Sequence, residues 1–219
     1  MTSIRDQRLA TIATGIGLTL DAVALDRLGA YLDLLVRWNQ AYNLTAVRDP
    51  DEMIDRHIAD CLAILPHLPA GSLADLGSGA GLPGIVIAIA EPERPVFLVE
   101  SNGKKARFLR EVKRSLGLTA VTVVEARAEA PNPAQPVAVV TARALAELSE
   151  LVRLAAPWLG RDGVLVAMKS KSAASELAAL PAHVRLDRVI DLAVPGLGAE
   201  RNLVVLRRGA DDTPVTRPG

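Results

Sequence analysis

A glycine-rich segment carries the clearest chemical signal in the chain. Residues 75–84 read Asp-Leu-Gly-Ser-Gly-Ala-Gly-Leu-Pro-Gly, so four glycines fall within eight positions between two apolar runs. Because glycine lacks a Cβ atom, such a loop turns tightly and lets a flat ligand lie against its backbone. A strand that leads through such a loop into a helix is typical of nucleotide-binding α/β sheets. We therefore predict that Gly77 and Gly79 contact a nucleotide-like cofactor.

The glycine spacing alone does not identify that cofactor. Residues 79–84 satisfy the dinucleotide pattern Gly-x-Gly-x-x-Gly, but three acidic residues favour S-adenosylmethionine. Asp75 ends the strand before the loop, where a carboxylate orders the loop and faces a cationic amino group rather than a pyrophosphate. Glu100 ends the next strand, where a carboxylate accepts hydrogen bonds from ribose hydroxyls, as it also does for NAD. Glu129 follows the third strand and suits the adenine end.

Each acid also has a simpler interpretation. Asp75 could cap the following turn, Glu100 could cap the helix that begins near Asn102, and Glu129 could be a solvated loop residue. A cofactor site accounts for all three positions together, whereas the simpler interpretation needs three separate structural roles.

The elements that must position these residues alternate after residue 71. Short apolar runs predict strands, with helical segments between them, and this alternation implies a mostly parallel sheet with right-handed crossovers. The predicted strands are Leu73–Leu76, Val96–Glu100, Val121–Glu125, Val137–Thr141 and Val164–Met168. The predicted helices are Leu82–Glu91, Gly103–Leu116, Leu145–Trp158 and Ser172–Leu180.

The end of the chain departs from that alternation. Val184–Val194 and Asn202–Arg207 are β-rich runs with no helix between them, which predicts a terminal antiparallel hairpin. Such a hairpin is typical of the class I S-adenosylmethionine-dependent methyltransferase sheet, a Rossmann-like α/β fold, rather than of the dinucleotide-binding sheet. It is a fourth feature that favours S-adenosylmethionine.

The first seventy residues have helical periodicity instead. Apolar residues recur at helical spacing between Leu25 and Trp38, with Asp21 as the N-cap, and a second helical run covers Asp51–Leu65 after Pro50. We therefore predict three parts. They are a helical N-terminal extension at 1–71, a class I methyltransferase domain at 72–209, and a disordered tail at 210–219, which lacks apolar periodicity.

Composition and charge narrow the class of protein. No apolar run approaches the length of a membrane span, and Asp6 and Asp21 argue against a signal peptide, so we expect a cytoplasmic protein. A single cysteine excludes an intrachain disulfide, and three scattered histidines argue against a metal site. The formal net charge is zero, so RNA binding requires a local patch. Residues 104–114 contain six basic residues and one acid, and form either a solvated helix face or a contact to RNA phosphates.

Motifs outside the glycine loop are more specific. They are Trp38–Pro50, Arg56–Asp60, Gly103–Leu109, Ala142–Ala144 and Glu200–Val205. Together with the loop, they resemble the RsmG (GidB) family of small-subunit ribosomal RNA methyltransferases over roughly residues 25–207. General methyltransferases lack the first of these motifs. The resemblance implies transfer of a methyl group from S-adenosylmethionine to N7 of a guanine in 16S rRNA, within the small ribosomal subunit or an assembly precursor.

The resemblance also implies the residues of the site. It places cofactor contacts on Gly77, Leu82, Ala128, Glu129 and Arg143. The family has Lys-Gly after the fifth strand where this chain has Lys-Ser at 169–170, which leaves the local backbone shape open.

Guanine N7 has a free lone pair and no proton to lose, so its methylation requires orientation rather than a general base. Arg143 follows the fourth strand at the ligand-binding edge of the sheet, where it can donate to guanine O6 or to a phosphate; the alternative is an ion pair with Glu147. Lys169, at the end of the fifth strand, is a second candidate or else a surface lysine.

Two further pairs have open interpretations. Asn39 and Asn43 lie one helical turn apart and either bind RNA or the cofactor loop, or serve in packing and capping. His57 and Asp60 form at most a local pair with a structural role.

The sequence leaves two alternative functions, a methyltransferase for a small molecule or protein and a non-catalytic RNA-binding module. The intact acids argue against the second.

Overall fold

A seven-stranded sheet forms the centre of the protein, in the order β3-β2-β1-β4-β5-β7-β6. The computed structural model describes residues 3–130, 136–169, 173–196, 198 and 200–209. The strands are β1 (Leu73–Leu76), β2 (Val96–Val99), β3 (Val121–Val124), β4 (Val137–Arg143), β5 (Leu159–Lys169), β6 (Val184–Asp191) and β7 (Asn202–Arg208). β1 to β5 pair in parallel, whereas β7 pairs antiparallel with both β5 and β6.

This strand order confirms the predicted α/β sheet with its terminal hairpin. β1 lies between β2 and β4, and Leu73 aligns with Val96 on one side and Val139 on the other. The chain therefore changes direction across the sheet at β1, and ligands of open α/β sheets bind at the carboxyl ends of strands beside such a point. The glycine loop leaves β1 at this edge.

Helices cover both faces of the sheet and precede it. They are α1 (Ile4–Gly15), α2 (Ala22–Tyr42), α3 (Pro50–Met53), α4 (Asp60–Leu62), α5 (Gly84–Ala90), α6 (Gly103–Leu116), α7 (Leu148–Ala155) and α8 (Ala174–Ala178). A short 3-10 helix covers Leu65–His67. Asp21 is the N-cap of α2 as predicted, since its carboxylate accepts from Ala24 N at 2.7 Å.

The predicted helix at 51–65 is interrupted by a π-helical turn. Ile54–Ala59 adopts i→i+5 geometry between α3 and α4. Such turns widen a helix by one residue and often occur at functional sites, because they change the direction of the side chains that follow. Asp60 is the first residue after this turn.

Two elements begin three or more residues away from their predicted starts. β5 begins at Leu159 rather than Val164, because Leu159 pairs with Val137 across a register shift in β4. α7 begins at Leu148 rather than residue 145, because Glu147 is its N-cap and has an extended backbone, with φ of −69° and ψ of 160°. The predicted tail at 210–219 and the start of the predicted helix at Ser172 lie outside the described residues.

Two apolar layers hold the sheet. The larger joins α1, α2, α5 and α6 to one face, where Tyr31 and Phe108 are fully buried near Leu73. The smaller packs α7 and Trp158 against the other face. The N-terminal helices therefore share a core with the sheet, and the boundary at residues 71 and 72 stays a prediction. Within the described chain, no helix combines the length and hydrophobicity that a membrane span requires.

Candidate active site

The loop between β1 and α5 depends on glycine for its backbone path. Gly77, Gly79 and Gly81 have φ values of +66°, +58° and +92°, in the left-handed region that disfavours other residues. A Cβ atom added to Gly77 would also lie 2.7 Å from Cδ1 of Leu145. At Gly79 the nearest atom to an added Cβ is the Gly77 carbonyl oxygen at 3.7 Å, so that face of the loop is open.

Asp75 holds this loop from beneath. Its carboxylate is buried, its Oδ2 accepts from Gly84 N at 3.0 Å, and its Oδ1 lies 3.5 Å from the Thr141 hydroxyl. Burial raises the pKa of Asp75 to about 7, although the hydrogen bond from Gly84 opposes that rise. The predicted ordering of the loop matches this geometry, while an approach to a cofactor amino group stays a prediction.

Glu100 holds the loop from the neighbouring strand. Its Oε2 accepts from Gly79 N at 2.8 Å, and its Oε1 accepts from Asn102 N at 2.8 Å. Asn102 itself caps α6, because its side chain accepts from Lys104 N. Glu100 thus links the glycine loop to the start of α6. Its contact with ribose stays a prediction.

The N-terminal segment supplies the remaining support. The Tyr31 hydroxyl donates to the Ala80 carbonyl at 2.7 Å. Buried Asn39 accepts from Thr45 N at 2.9 Å and donates to the Val47 carbonyl at 3.1 Å, so it shapes the turn after α2. Of the two interpretations for Asn39, the geometry favours packing and capping. Asn43 ends α2 with a φ of +49°.

A cavity of about 550 Å³ lies between the glycine loop and the ends of β4 and β5. This volume is within the usual range for small-ligand sites. The lining residues are Leu44, Thr45, Asp60, Gly77, Ser78, Gly79, Ala80, Leu82, Lys105, Arg143, Ala144, Met168, Lys169, Glu176 and Arg201. Five of the predicted site residues therefore meet in one cavity, namely Gly77, Gly79, Leu82, Arg143 and Lys169.

Arg143 is held by an acid that differs from the one suggested by sequence. Its Nη1 donates to Asp60 Oδ2 at 3.2 Å and to the Arg56 carbonyl at 3.4 Å, and no ion pair with Glu147 occurs in the described structure. Arg201 Nε donates to the other oxygen of the same carboxylate at 3.0 Å. Asp60 and Arg201 are thus cavity residues that the prediction did not include, although both lie within motifs of the family resemblance.

Lys169 is part of the support for the loop after β4. Its Nζ lies 2.6 Å from Glu176 Oε2 and donates to the Ala146 carbonyl at 3.0 Å. Glu176 also accepts from Leu148 N at 2.8 Å. Burial alone would raise the pKa of Glu176, but the bonds from Lys169 and Leu148 outweigh it and lower that pKa. Lys169 therefore has a defined partner and is not a loose surface lysine.

Four predicted contacts do not line the cavity. Asp75 and Glu100 lie behind the loop, as described above. The Ala128 carbonyl accepts from Trp158 Nε1 at 2.8 Å, and Glu129 lies 3.6 Å from Arg153. The segment that follows, 131–135, is outside the described residues. The roles of Ala128 and Glu129 in cofactor binding stay predictions.

Comparison with known proteins decides the family. The GidB family, described as rRNA small subunit methyltransferase G, matches residues 24–204. The chain belongs to this family. The ribosomal RNA small subunit methyltransferase G of Xylella fastidiosa strain M23 is 53% identical over 194 residues, 86% of this chain and 92% of the relative. The protein of the same name from Xanthomonas campestris pv. campestris strain 8004 is 50% identical over 200 residues, 91% and 94% of the two chains.

Membership in the GidB family confirms the resemblance and the predicted enzyme class, an S-adenosylmethionine-dependent methyltransferase. Solved structures show the fold. Ribosomal protein L11 methylase from Lactobacillus delbrueckii subsp. bulgaricus has a TM-score of 0.50 at 16% identity, over 68% of this chain and 76% of that one. A mutant of MtNAS in complex with S-adenosylmethionine has a TM-score of 0.54 at 16% identity, over 95% and 99%.

The site of this GidB-family chain fits S-adenosylmethionine. Gly77 and Gly79 line the cavity, and a Cβ atom added to Gly79 would meet no atom closer than 3.7 Å, so the loop presents an open backbone face there. Two carboxylates fix that face from behind, and the cavity volume suits a ligand of this size. In the described chain, no group of three or more His, Cys, Asp or Glu residues is arranged to hold a metal ion.

The basic helix α6 is only partly available. Arg110 and Arg114 pair with Glu125 at 2.7 Å and Glu111 at 2.8 Å. Lys105 lines the cavity, while Lys104 and Arg107 are exposed and have no ion pair with a described residue. The first turns of α6 therefore retain unpaired positive charge beside the cavity.

His57 is engaged away from Asp60. Its Nε2 lies 2.8 Å from the Thr45 hydroxyl and its Nδ1 2.9 Å from the Arg56 carbonyl. Burial, and after it the nearby Arg143, lowers the pKa of His57 to about 4, so the imidazole is neutral at neutral pH. His57 thus fixes the turn that brings Thr45 to the cavity.

Proposed function

We propose that this chain transfers a methyl group from S-adenosylmethionine to N7 of a guanine in 16S rRNA, in the cytoplasm, on the small ribosomal subunit or an assembly precursor. The observation that carries this proposal is a single cavity that joins a glycine loop to Arg143 in a chain of the GidB family. The loop suits a nucleoside cofactor, and the guanidinium suits the guanine edge.

The cofactor would lie against Gly77, Gly79 and Leu82, with its adenine end toward Ala128 and Glu129. When bound, S-adenosylmethionine supplies an electrophilic methyl group. Asp75 and Glu100 keep the loop in its ligand-ready shape through the bonds to Gly84 and Gly79. The rigid loop thereby reduces the ordering that binding would otherwise require.

The chain's own residues bind and orient the guanine. N7 carries a lone pair and loses no proton, so the reaction needs no general base. His57 and Asp75 are engaged in structural hydrogen bonds, which agrees with that requirement. Arg143 would donate to guanine O6, the atom beside N7, and its ion pair with Asp60 fixes the donor before the base arrives. Such fixed placement is the main source of rate enhancement for this kind of transfer.

The proposal is tested by mass-spectrometric mapping of 16S rRNA from cells with and without the gene. We expect one N7-methylguanine to disappear with the gene and to return with the parent protein. An unchanged modification pattern would contradict the proposed reaction. In vitro, small subunits, precursor particles and naked 16S rRNA then serve as alternative substrates for the purified enzyme.

The matched variants are Arg143→Ala and Arg5→Ala. Both remove an arginine that has an acidic partner, but Arg5 pairs with Asp33 at 2.6 Å and does not line the cavity. We expect R143A to lose turnover by about 100-fold or more, as does loss of a single positioned donor elsewhere, while R5A retains it. Equal activity of the two variants would remove Arg143 from the site.

A further inference from the structure

Asp60 joins two arginines from distant parts of the chain at the cavity wall. Its Oδ2 accepts from Arg143 Nη1 at 3.2 Å, and its Oδ1 accepts from Arg201 Nε at 3.0 Å. The Asp60 side chain is only 3% exposed, whereas the side chains of Arg143 and Arg201 are each 20% exposed. All three residues line the cavity. The carboxylate is therefore buried behind the arginines, and the arginines face the space in front of it.

Three separate elements meet at this carboxylate. Asp60 follows the π-helical turn at Ile54–Ala59, Arg143 is the last residue of β4, and Arg201 directly precedes β7. Arg201 Nη1 also donates to the Glu200 carbonyl at 3.1 Å. Each guanidinium is thus fixed at two points, and the relative position of the two depends on Asp60.

The charges of this cluster do not cancel. One carboxylate faces two guanidiniums, which leaves one positive charge in excess. Lys169, by contrast, is matched by Glu176 at 2.6 Å. A guanidinium has five N–H donors, and the Nη2 group of each arginine has no partner among the described residues. A fixed cationic fork with unused donors is suited to an oxyanion such as a phosphate.

We propose that Arg201 is a second substrate-binding residue, which takes a phosphodiester of the RNA beside the target guanine, and that Asp60 is the positioning residue for both arginines. This inference rests on the proposed function for its substrate. The division of labour follows from placement. Arg143 continues into the loop that contacts Gly77 through Leu145, whereas Arg201 lies on the terminal hairpin side of the cavity.

Two other roles for the cluster make different predictions. If Arg201 instead binds the carboxylate of S-adenosylmethionine, its loss weakens cofactor binding rather than RNA binding. If the cluster only joins the N-terminal helices to the sheet, its loss lowers stability and leaves the affinities of the folded protein unchanged. The experiment therefore measures RNA affinity, cofactor affinity and stability on the same variants.

The first variant is Arg201→Gln, with Arg8→Gln as its control. Arg8 pairs with Asp55 at 2.7 Å on the same helical segment that bears Asp60, and it does not line the cavity. The probe is a single-stranded RNA fragment of 16S sequence that contains the target guanine, titrated at several salt concentrations. We expect R201Q to raise the RNA Kd about tenfold and to reduce the slope of log K against log salt by about 0.7, the value for one phosphate contact on single-stranded RNA. R8Q should match the parent, and S-adenosylmethionine affinity by calorimetry should be the same in all three.

The second variant is Asp60→Asn, made in the parent and in R201Q. If Asp60 acts through Arg201, D60N raises the KM for RNA in the parent and has a smaller effect when Arg201 is already absent. If D60N does not fold, Asp60→Glu and Arg201→Lys are used in its place. R201K should keep the salt slope of the parent but only part of its affinity for RNA, since lysine lacks the planar fork of the guanidinium.

The outcomes separate this inference from the proposed function. A parent that methylates rRNA with an R201Q variant of unchanged salt slope overturns the inference and leaves the function intact. A parent that binds the fragment with the expected slope change in R201Q but methylates no rRNA overturns the function and leaves the inference intact. Three other outcomes overturn the inference. They are a loss of cofactor affinity in R201Q, effects of D60N and R201Q on the KM for RNA that multiply fully in the double variant, and a parent protein that does not bind the RNA fragment.

Discussion

Replacement of Gly84 by alanine should disturb the contact through which Asp75 holds the glycine loop. Gly84 begins α5 directly above β1 and β2. An added Cβ would overlap Cδ2 of Leu98, and would lie 2.8 Å from Oδ2 and 3.0 Å from Cβ of Asp75. Both neighbours are buried, so neither can move into solvent. The methyl group must therefore push Asp75 away from the backbone N–H of residue 84, which donates a hydrogen bond to its carboxylate in the parent protein.

The cost follows from these contacts. Overpacking a buried site costs about 1–3 kcal/mol, and weakening a buried hydrogen bond to a carboxyl group costs about 1–3 kcal/mol. The better helix propensity of alanine returns up to about 1 kcal/mol. We expect G84A to lose about 2–4 kcal/mol of unfolding free energy, with a rise of at least tenfold in the Kd for S-adenosylmethionine because the loop loses its anchor.

Chemical denaturation and calorimetry measure these two effects. Gly117→Ala is the matched control, since Gly117 ends α6 with a φ of +63° and an added Cβ there meets no atom within 4 Å. G117A should lose about 1 kcal/mol through backbone strain and bind S-adenosylmethionine normally. If G84A is no less stable than G117A, or binds the cofactor as the parent does, the packing of Asp75 and Leu98 does not hold the loop as described.

Three further predictions concern other parts of the site. Trp158→Phe removes the hydrogen-bond donor to the Ala128 carbonyl, so we expect a loss of about 2–3 kcal/mol in unfolding free energy and weaker S-adenosylmethionine binding. An unchanged affinity by calorimetry would show that Ala128 is not part of the cofactor site. Burial raises the pKa of Asp75 from 3.8 to about 7, so its contribution to stability is complete below pH 4 and is lost as the pH rises through 7. Asp75→Asn should lack that decline, and parallel stability curves for parent and variant between pH 4 and 8 would refute the shift. Lys104→Glu with Arg107→Glu should weaken RNA binding and flatten its salt dependence, and identical salt slopes would exclude this turn of α6 from the interface.

Elements with local signals were predicted well. The bounds of β1 and α6 match the predictions, since α6 has a capping Asn102 before it and a left-handed Gly117 after it. The start of β5 could not be predicted from its own residues, because it depends on the pairing of Leu159 with Val137. The π-helical turn at Ile54–Ala59 likewise depends on tertiary packing, and no residue type within it signals the change.

The same distinction applies to the site. The sequence pattern placed Arg143 and Lys169 at strand ends, and both line the cavity. It did not identify their partners, because an ion pair between Asp60 and Arg201 joins residues 141 positions apart. Local spacing suggested His57 as the neighbour of Asp60, but the widened turn directs the two side chains to different partners, Thr45 for the histidine and the two arginines for the acid.

The segment Trp38–Pro50, one of the motifs that carry the family resemblance, acts on the site through its packing and its turn. Trp38 stacks on Tyr42 with ring centroids 5.2 Å apart, and its ring centroid lies 5.6 Å from that of Phe108. The ring therefore packs between α2 and α6 and is not free to stack on an RNA base. The side-chain nitrogen and oxygen of Asn39 are both hydrogen-bonded within the turn at 44–47. This turn places Leu44 and Thr45 at the cavity. The N-terminal helices therefore form one wall of the site and supply the carboxylate that holds its two arginines. A class I sheet without them would retain the glycine loop but would lack Asp60, and with it the fixed placement of Arg143 that the proposed reaction requires.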